Sequence, residues 1–261
     1  MPIGEDGVPS AVIDRPSPHP PASQLSLYDF YNSIFESIVA DTEELKRECF
    51  RIRYQVYCVE QTGYEDPSAF PDHCETDEYD AHSAHGLLRH RQSGSFIGTV
   101  RIVLHRAGAQ AGCFPIHKLA AVNNIDLPEE FPKENSGEIS RFCISNEMRR
   151  RIEDSIQGSH YTAEEIAADR RRLIPAISLG LYGLFVQMSA HHNIKQWYAE
   201  MEPFLIVMQS KMGIHANCIG PLIDFHGKRQ LCQAAVGTLL NRCKLERPDV
   251  WEVITDRGRY G

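Results

Sequence analysis

Cys-x-x-Cys pairs are missing from this chain of 261 residues, although it holds eight cysteines. Cys49, Cys58, Cys74, Cys113, Cys143, Cys218, Cys232 and Cys243 are scattered, some inside apolar runs such as Phe142-Cys143-Ile144. That argues against a zinc ribbon or a disulfide framework and for free thiols in a reducing compartment. A basic surplus is also missing: 27 Lys and Arg stand against 35 Asp and Glu, for a net charge of −8. No nucleic-acid partner is therefore expected. The opening Met1-Pro-Ile-Gly-Glu-Asp6 lacks both the basic and the apolar parts of a signal peptide, so a cytoplasmic location is expected. No internal repeat is visible. One uncharged run, Leu173 to Ala190, just reaches membrane-spanning length, but it contains Pro175, Gly180, Gly183, two serines and Gln187. Such a run reads as a helix buried on a sheet, which leaves at most peripheral membrane contact.

What is present divides the chain into an arm and one α/β domain. Residues 1–24 crowd six prolines among polar residues and predict a disordered arm, with a single domain over 25–261. Leu25 to Ala40 reads as a short helix followed by a strand. Asp41 with Glu44 predicts an N-cap and its N3 acid. Leu45, Cys49, Ile52, Val56 and Val59 then recur at helical spacing until Gly63. Arg53 and Tyr57 lie one turn apart on the flank of that face.

A hairpin is expected from His82 to His105, with Arg101 on the face opposite Val100 and Ile102. A long connection leads to a strand over Gly137–Ser145, a charged insert over Asn146–Arg172, and the buried helix from Leu173. A strand at Ile194–Met201, a short helix at Pro203–Met212, strands at Ile214–Gly220 and Gln230–Val236, and a last helix from Thr238 complete the pattern. A mixed sheet with helices on both faces fits this order.

Charged residues cluster at the ends or polar faces of these apolar elements. The clusters are Arg53-x-x-Val56-Tyr57, Glu75-x-Asp77-x-x-Asp80, Gly98-x-x-Arg101, Glu138-Ile-Ser140-Arg141-Phe142, and the triplets Arg149-Arg150-Arg151 and Arg170-Arg171-Arg172. Any one of them reads as structural ion pairing, since such groups are rarely buried unless paired. Their order and spacing together resemble the autoinducer (acyl-homoserine-lactone) synthases, a branch of the GNAT acyltransferase fold, from about Leu27 to Met201. The Trp usual in that pattern has no clean counterpart, because Gly63-Tyr64 stands in its place. The stretches Ile219-Gly-Pro-Leu-Ile-Asp-Phe-His-Gly-Lys-Arg-Gln230 and Arg247-Pro-Asp-Val-Trp251 further resemble the bacterial PEP-CTERM/exosortase-associated acyltransferases, themselves similar to N-acyl amino acid synthases.

The resemblance implies a GNAT-like fold with splayed strands at the active site. It also implies transfer of a medium or long acyl chain from acyl carrier protein to a small amine or amino acid. Glu138 would be the general base, with Ser140 and Arg141 beside it. Backbone groups at Phe142, Cys143 and Ile144 would serve the oxyanion and the pantetheine amides. Arg53, Tyr57, Asp77, Asp80 and Arg101 would bind the acceptor and shape the cleft. Glu138 and Arg141 point to opposite faces of an ideal strand, so a β-bulge is expected between them, breaking the ladder at Ile139 and Ser140.

No tightly bound cofactor is implied; the donor is the acyl-phosphopantetheine of the carrier, with acyl-CoA possible. The helix expected after the Glu138 strand opens Arg170-Arg-Arg-Leu-Ile-Pro-Ala176, without the glycines that cradle the coenzyme A pyrophosphate. Both arginine triplets suit an acidic carrier surface. Leu173–Met188, Phe204, Ile206 and Val207 would line the acyl tunnel. An acceptor of the S-adenosylmethionine type, and a non-catalytic acyl-binding role, stay open. His73, Cys74, Asp77, Asp80, His82 and His85 lack metal-site spacing, so no metal is expected. Cys143 has no adjacent His to activate it and reads as a core thiol.

Overall fold

The computed structural model describes residues 25–105, 114–127, 134–157, 163–225 and 227–261, with the side chains of 155–157 and 163–170 excepted. The expected arm over 1–24, His226 and the Arg170 side chain lie outside the described residues. Helix α1 (Leu27–Ile34) leads into strand β1 (Phe35–Val39), as the sequence suggests. Helix α2 (Glu43–Tyr54) starts at Thr42 rather than Asp41: Thr42 Oγ1 accepts the Leu45 amide at 3.3 Å, while Asp41 sits one residue too early to reach that position. The helix then widens into a π-helical stretch over Gln55–Glu60.

Strands β2 (Ser83–His90) and β3 (Phe96–Leu104) form the expected hairpin. The connection after it contains an unforeseen helix α3 (Pro115–Val122), with Pro115 in its first turn and Ile116, Leu119 and Ala120 buried. Strand β4 (Ser136–Ile144) is followed directly by helix α4 (Asn146–Gln157), so the charged insert is helical. Then come helix α5 (Ala163–His191), strand β5 (Gln196–Met201), helix α6 (Pro203–Lys211), strands β6 (Asn217–Asp224) and β7 (Lys228–Ala235), and helices α7 (Val236–Glu246) and α8 (Pro248–Thr255).

Among the described residues, seven strands form one open mixed sheet in the order β1-β2-β3-β4-β5-β7-β6, in which β4 and β5 alone run parallel. The apolar residues Leu88, Val100 and Ile102 meet α5, whose Leu173, Ile177, Leu181, Leu184 and Met188 are buried in the same core. The stretch Arg171–His191 is long and apolar enough to cross a membrane, yet 67% of its apolar window is buried inside the protein. Gly180 lets α5 approach: a Cβ there would stand 2.5 Å from Leu88 Cδ1 and 2.9 Å from Tyr31. The opposite face carries α2 and α3, packed through Cys49, Ile52, Val56 and Leu87, and through Val103, Phe114, Ile116 and Leu119.

Two features of β4 create an opening. The parallel ladder to β5 ends at Ile139↔Ala199, after which the strands part. The ladder to β3 is regular through Ile139 and Ser140, contrary to the expected bulge between Glu138 and Arg141. The irregularity comes one step later: Arg101↔Ser140 is followed by Thr99↔Cys143, so Val100 opposes both Arg141 and Phe142. Arg141 itself takes φ 51°. That left-handed turn reverses the alternation and brings Arg141 back to the Glu138 side, without disturbing the pairs before it.

Candidate active site

Three arginines and three carboxylates from four separate elements form one network, with Arg53, Arg101 and Glu75 buried and Asp77, Asp80 and Arg141 half-buried. Arg53, from α2, binds Asp80 with both terminal nitrogens, at 2.7 and 3.1 Å, and donates its Nε to Glu75. Arg101, from β3, reaches Asp77 at 2.5 Å, Asp80 at 2.8 Å and Ser140 Oγ at 3.0 Å. Arg141 Nη2 lies 2.9 Å from Glu75 and 3.1 Å from Asp77. The segment before β2 is thereby pinned to α2, β3 and β4 together.

Burial opposes ionisation of Asp80, yet the bonds and charges of Arg53 and Arg101 hold its carboxyl far below the usual range. Glu75 and Asp77 are likewise held low against burial, chiefly by Arg53 and Arg101 respectively. His85, enclosed beneath Asp80 and edge-on to Phe50, is lowered by burial to about 4. Groups that stay charged inside a protein need this degree of pairing.

A cavity of about 770 Å³ passes between β4 and β5 where they part. Its wall takes Glu138 to Ile144 from β4 and Trp197 to Met201 from β5. Glu138 Oε2 accepts the Ile116 amide of α3 at 2.9 Å, in a fully enclosed setting. Burial, reinforced by the Glu200 carboxylate, pushes the Glu138 carboxyl well above its ordinary value. Glu200, also in the wall, is raised by burial to about 7 despite Arg229 and Arg141. The two carboxyls thus share a site that disfavours a double negative charge. Tyr57 stacks on Tyr64 at 4.9 Å, and the Arg141 guanidinium lies 5.6 Å from the Tyr57 ring centroid, so Tyr64 does contribute to the wall.

Of the residues expected at the site, Tyr57, Asp77, Glu138, Ser140, Arg141, Phe142, Cys143 and Ile144 line the cavity. Arg53, Asp80 and Arg101 do not; they stand behind it and hold Asp77, Ser140 and Glu75 in place. Of the residues expected along a tunnel, Tyr182, Phe185 and Phe204 line the cavity, whereas the rest of Leu173–Met188, Ile206 and the exposed Val207 do not. Burial pushes the Cys143 thiol up to about 12, in keeping with a core thiol. Arg149, Arg150, Arg151, Arg171 and Arg172 lie apart from the cavity wall. Arg149 and Arg151 pair with Glu153 and Glu147 along α4, Arg172 stacks on Phe30, and Arg150 and Arg171 are exposed.

Sequence reasoning missed Glu200, Gln209 and Glu60. Glu200 shares strand parity with Tyr198, the register partner of Glu138, a signal readable only once the pairing of β4 with β5 is known. Glu60 caps α4, the helix that directly follows β4: its carboxylate accepts the Asn146 amide and the Ser145 hydroxyl, each at 2.8 Å, and the Glu147 amide at 3.2 Å. The sequence expectation placed that helix opening at Arg170, one helix too late.

An enclosed carboxyl poised to exchange a proton, strand backbone freed from its ladder, and an apolar passage through the sheet suit the attack of an amine on a bound acyl carbonyl. Residues 52–156 match the family described as Acetyltransferase (GNAT) domain. No curated protein sequence matches the chain. Among solved structures it is similar to TofI in a ternary complex with an inhibitor and MTA, with 20% identity, 82% of this chain and 99% of that one covered, and a TM-score of 0.54. It is similar to BjaI, a CoA-dependent acyl-homoserine lactone synthase, at 17% identity over 87% of this chain and 89% of that one, TM-score 0.52. FeeM, an N-acyl amino acid synthase from uncultured soil microbes, matches at 14% identity over 80% of this chain and 94% of that one, TM-score 0.50. The chain has the GNAT fold, and its residues 52–156 are similar to the acetyltransferase domain of that fold.

Proposed function

We propose that this chain transfers a medium or long acyl group from the phosphopantetheine thioester of acyl carrier protein to the amine of an amino acid or similar small metabolite. The observation that carries the reading is the passage between β4 and β5, with Glu138 and Arg141 in its wall and the aromatic side chains of Phe142, Tyr182, Phe185 and Trp197 beyond them. The thioester lies in the gap between the strands, its carbonyl oxygen meeting backbone amides of the Phe142–Ile144 segment. Glu138 takes the proton from the attacking amine, directly or through a water, the C–S bond of the adduct then breaks, and the pantetheine sulfur leaves as a thiol by taking up a proton. Arg141, held by Glu75 and Asp77, fixes the acceptor side together with Tyr57 and Asp77. Arg53, Asp80 and Arg101 position those groups.

The carrier-protein donor is supported by Glu60. A helix N-terminus after β4 is the natural place for a pyrophosphate, and here a carboxylate occupies its amides. Burial works against the Glu60 charge, but the bonds from Asn146, Ser145 and Glu147 hold its pKa below the ordinary value. A nucleotide-free pantetheine needs no such amides. Exposed Arg150 and Arg171 suit an acidic carrier surface. The tail from Ile219 to Gln230 and Arg247 to Trp251 supports a place among the exosortase-associated acyltransferases, acting in the cytoplasm where carrier thioesters are made.

The deciding experiment incubates the purified protein with acyl carrier thioesters and a panel of amino acids, amines and S-adenosylmethionine, with products read by mass spectrometry. An N-acyl amino acid is the expected product. A homoserine lactone would change the acceptor, and no acyl transfer to any amine would overturn the reading.

A further inference from the structure

Strand β6 forms an outer edge of the sheet, and its Cys218 is the register partner of Cys232 on β7. The two sulfurs stand 3.9 Å apart, with no bond between them. Directly opposed residues of antiparallel strands have Cα atoms about 4.5 or 5.5 Å apart, inside the range of about 4.4–6.8 Å that a disulfide bridges. The pair is asymmetric: Cys218 is exposed, whereas Cys232 is 1% exposed and belongs to the cavity wall. A cysteine that serves only as a small apolar group belongs in the core, and Cys218 is not there. Cys218 is also the last paired residue before the ladder slips, since the register passes from Cys218↔Cys232 to Leu222↔Gln230. Ile219, Gly220 and Pro221 therefore fall outside the regular pairing, and the backbone beside Cys218 is free to close the remaining gap.

We infer that Cys218 and Cys232 form a redox-modification site, which a hydroperoxide oxidises reversibly to a disulfide that ties the edge strand to the cavity wall. The Cys218 thiolate, the accessible one, attacks one peroxide oxygen; the O–O bond breaks, and the departing alkoxide or hydroxide takes up a proton. The sulfur has then lost two electrons to the peroxide and stands as a sulfenic acid. The Cys232 sulfur attacks it, the S–O bond breaks, and the oxygen leaves as water with the Cys232 proton. In sum, two thiols and one peroxide give one disulfide, one water, and one alcohol or second water. Burial and the neighbouring Cys218 push the Cys232 thiol up to about 12. Cys232 therefore does not compete for the oxidant and serves as the resolving partner. A reducing dithiol restores the pair by exchange. Cys232 lies across from Ala199, the β5 residue of the last β4–β5 pair, so the bond fastens the wall next to where those strands part. The site is independent of what the cavity binds.

In the test, the whole protein is reduced, exposed to hydrogen peroxide, alkylated at its remaining thiols, digested with trypsin and read by mass spectrometry. Trypsin puts each of the two sulfurs on its own fragment, Met212–Lys228 and Gln230–Arg242. The expected product is those two fragments joined, two hydrogens lighter than their sum, and parted by dithiothreitol. The bond links positions 14 apart in sequence and so closes a short loop of the unfolded chain. The oxidised protein should therefore melt about 5–10 °C above the reduced one. Cys218→Ser should abolish both the joined fragments and the shift. Cys232→Ser should leave a sulfenic acid at Cys218 that dimedone captures. Cys218 carried on to a sulfinic or sulfonic acid, with Cys232 still open to alkylation, would overturn the inference. Two joined copies of Met212–Lys228 would also overturn it, because the bond would then lie between molecules. A Cys218–Cys232 bond that forms in denaturant but not in the native protein counts against it equally, as does a fully joined sample with no rise in melting temperature.

Discussion

Glu138 Oε2 accepts the backbone amide of Ile116 at 2.9 Å, so the first turn of α3 tethers the candidate base. The bond orients the carboxyl toward the cavity, leaves Oε1 to meet a substrate proton, and moderates a pKa that burial drives up. Glu138→Gln keeps the shape and can still accept the Ile116 amide through its carbonyl oxygen. Acyl transfer by this variant should fall by about 10²–10⁴-fold with an unchanged melting temperature and unchanged acyl binding. Turnover within a factor of a few of the native protein would remove Glu138 from the proton transfer.

The Glu200 carboxylate raises the pKa of Glu138, so neutralising Glu200 should lower it. The base must be deprotonated to act, and kcat/KM should therefore rise with pH at values above the ordinary carboxylate range in the native protein. In Glu200→Gln the rising limb should shift to lower pH. A limb that stays in place, measured from pH 5 to 9, would show that the two carboxyls do not interact in solution.

Breaking the arginine network from one side should unfold the protein more readily than it disturbs binding. Arg53→Met leaves Glu75 and the two oxygens of Asp80 short of their partner. A loss of about 3–5 kcal/mol in denaturant unfolding is expected, because a buried carboxylate is stranded. A loss under about 1 kcal/mol would mean that water or side-chain movement replaces the missing guanidinium.

His85 gives stability a pH dependence above the carboxylate range. Its folded pKa, lowered by burial to about 4, lies below the ordinary value of 6.5. The unfolded chain therefore binds a proton first, and the contribution present above about 6.5 is lost as pH falls toward 4, to a total of about 3 kcal/mol. Partly buried His90, His117 and His192 shift in the same direction. His85→Leu should flatten the fall in unfolding free energy between pH 6.5 and 5 more than any of the other three replacements. An unchanged slope would assign that fall elsewhere.

Donor choice should respond to Glu60. Glu60→Ala frees the first amides of α4 for a phosphate, and transfer from acyl-CoA should improve about tenfold relative to the carrier thioester. If the ratio of the two donors does not move, the start of α4 is not where a donor phosphate would lie.

Much of the architecture was legible because it is written in local periodicity. The spacing of Leu45, Cys49, Ile52 and Val56, and the alternation in β3, predict α2 and the central hairpin nearly to their ends. The connection before β4 hid α3 because its prolines read as irregular chain, yet Pro115 opens that helix. Side-chain parity alone places the bulge between Glu138 and Arg141, while the pairing with β3 puts it at Arg141 and Phe142.

By itself the sequence grouped Arg53, Asp77, Asp80, Arg101, Glu138 and Arg141 through the order and spacing of their motifs, with Arg53, Arg101, Glu138 and Arg141 on strongly patterned elements. Only the tertiary structure decided which of them face a cavity and which are sealed behind it. It alone set Glu200 beside Glu138, Ile116 against the same carboxyl, and Gln209 against Tyr182. The physical reason is that periodicity depends on near neighbours in the chain, whereas the protonation and pairing of a buried group depend on long-range register and on which strands part.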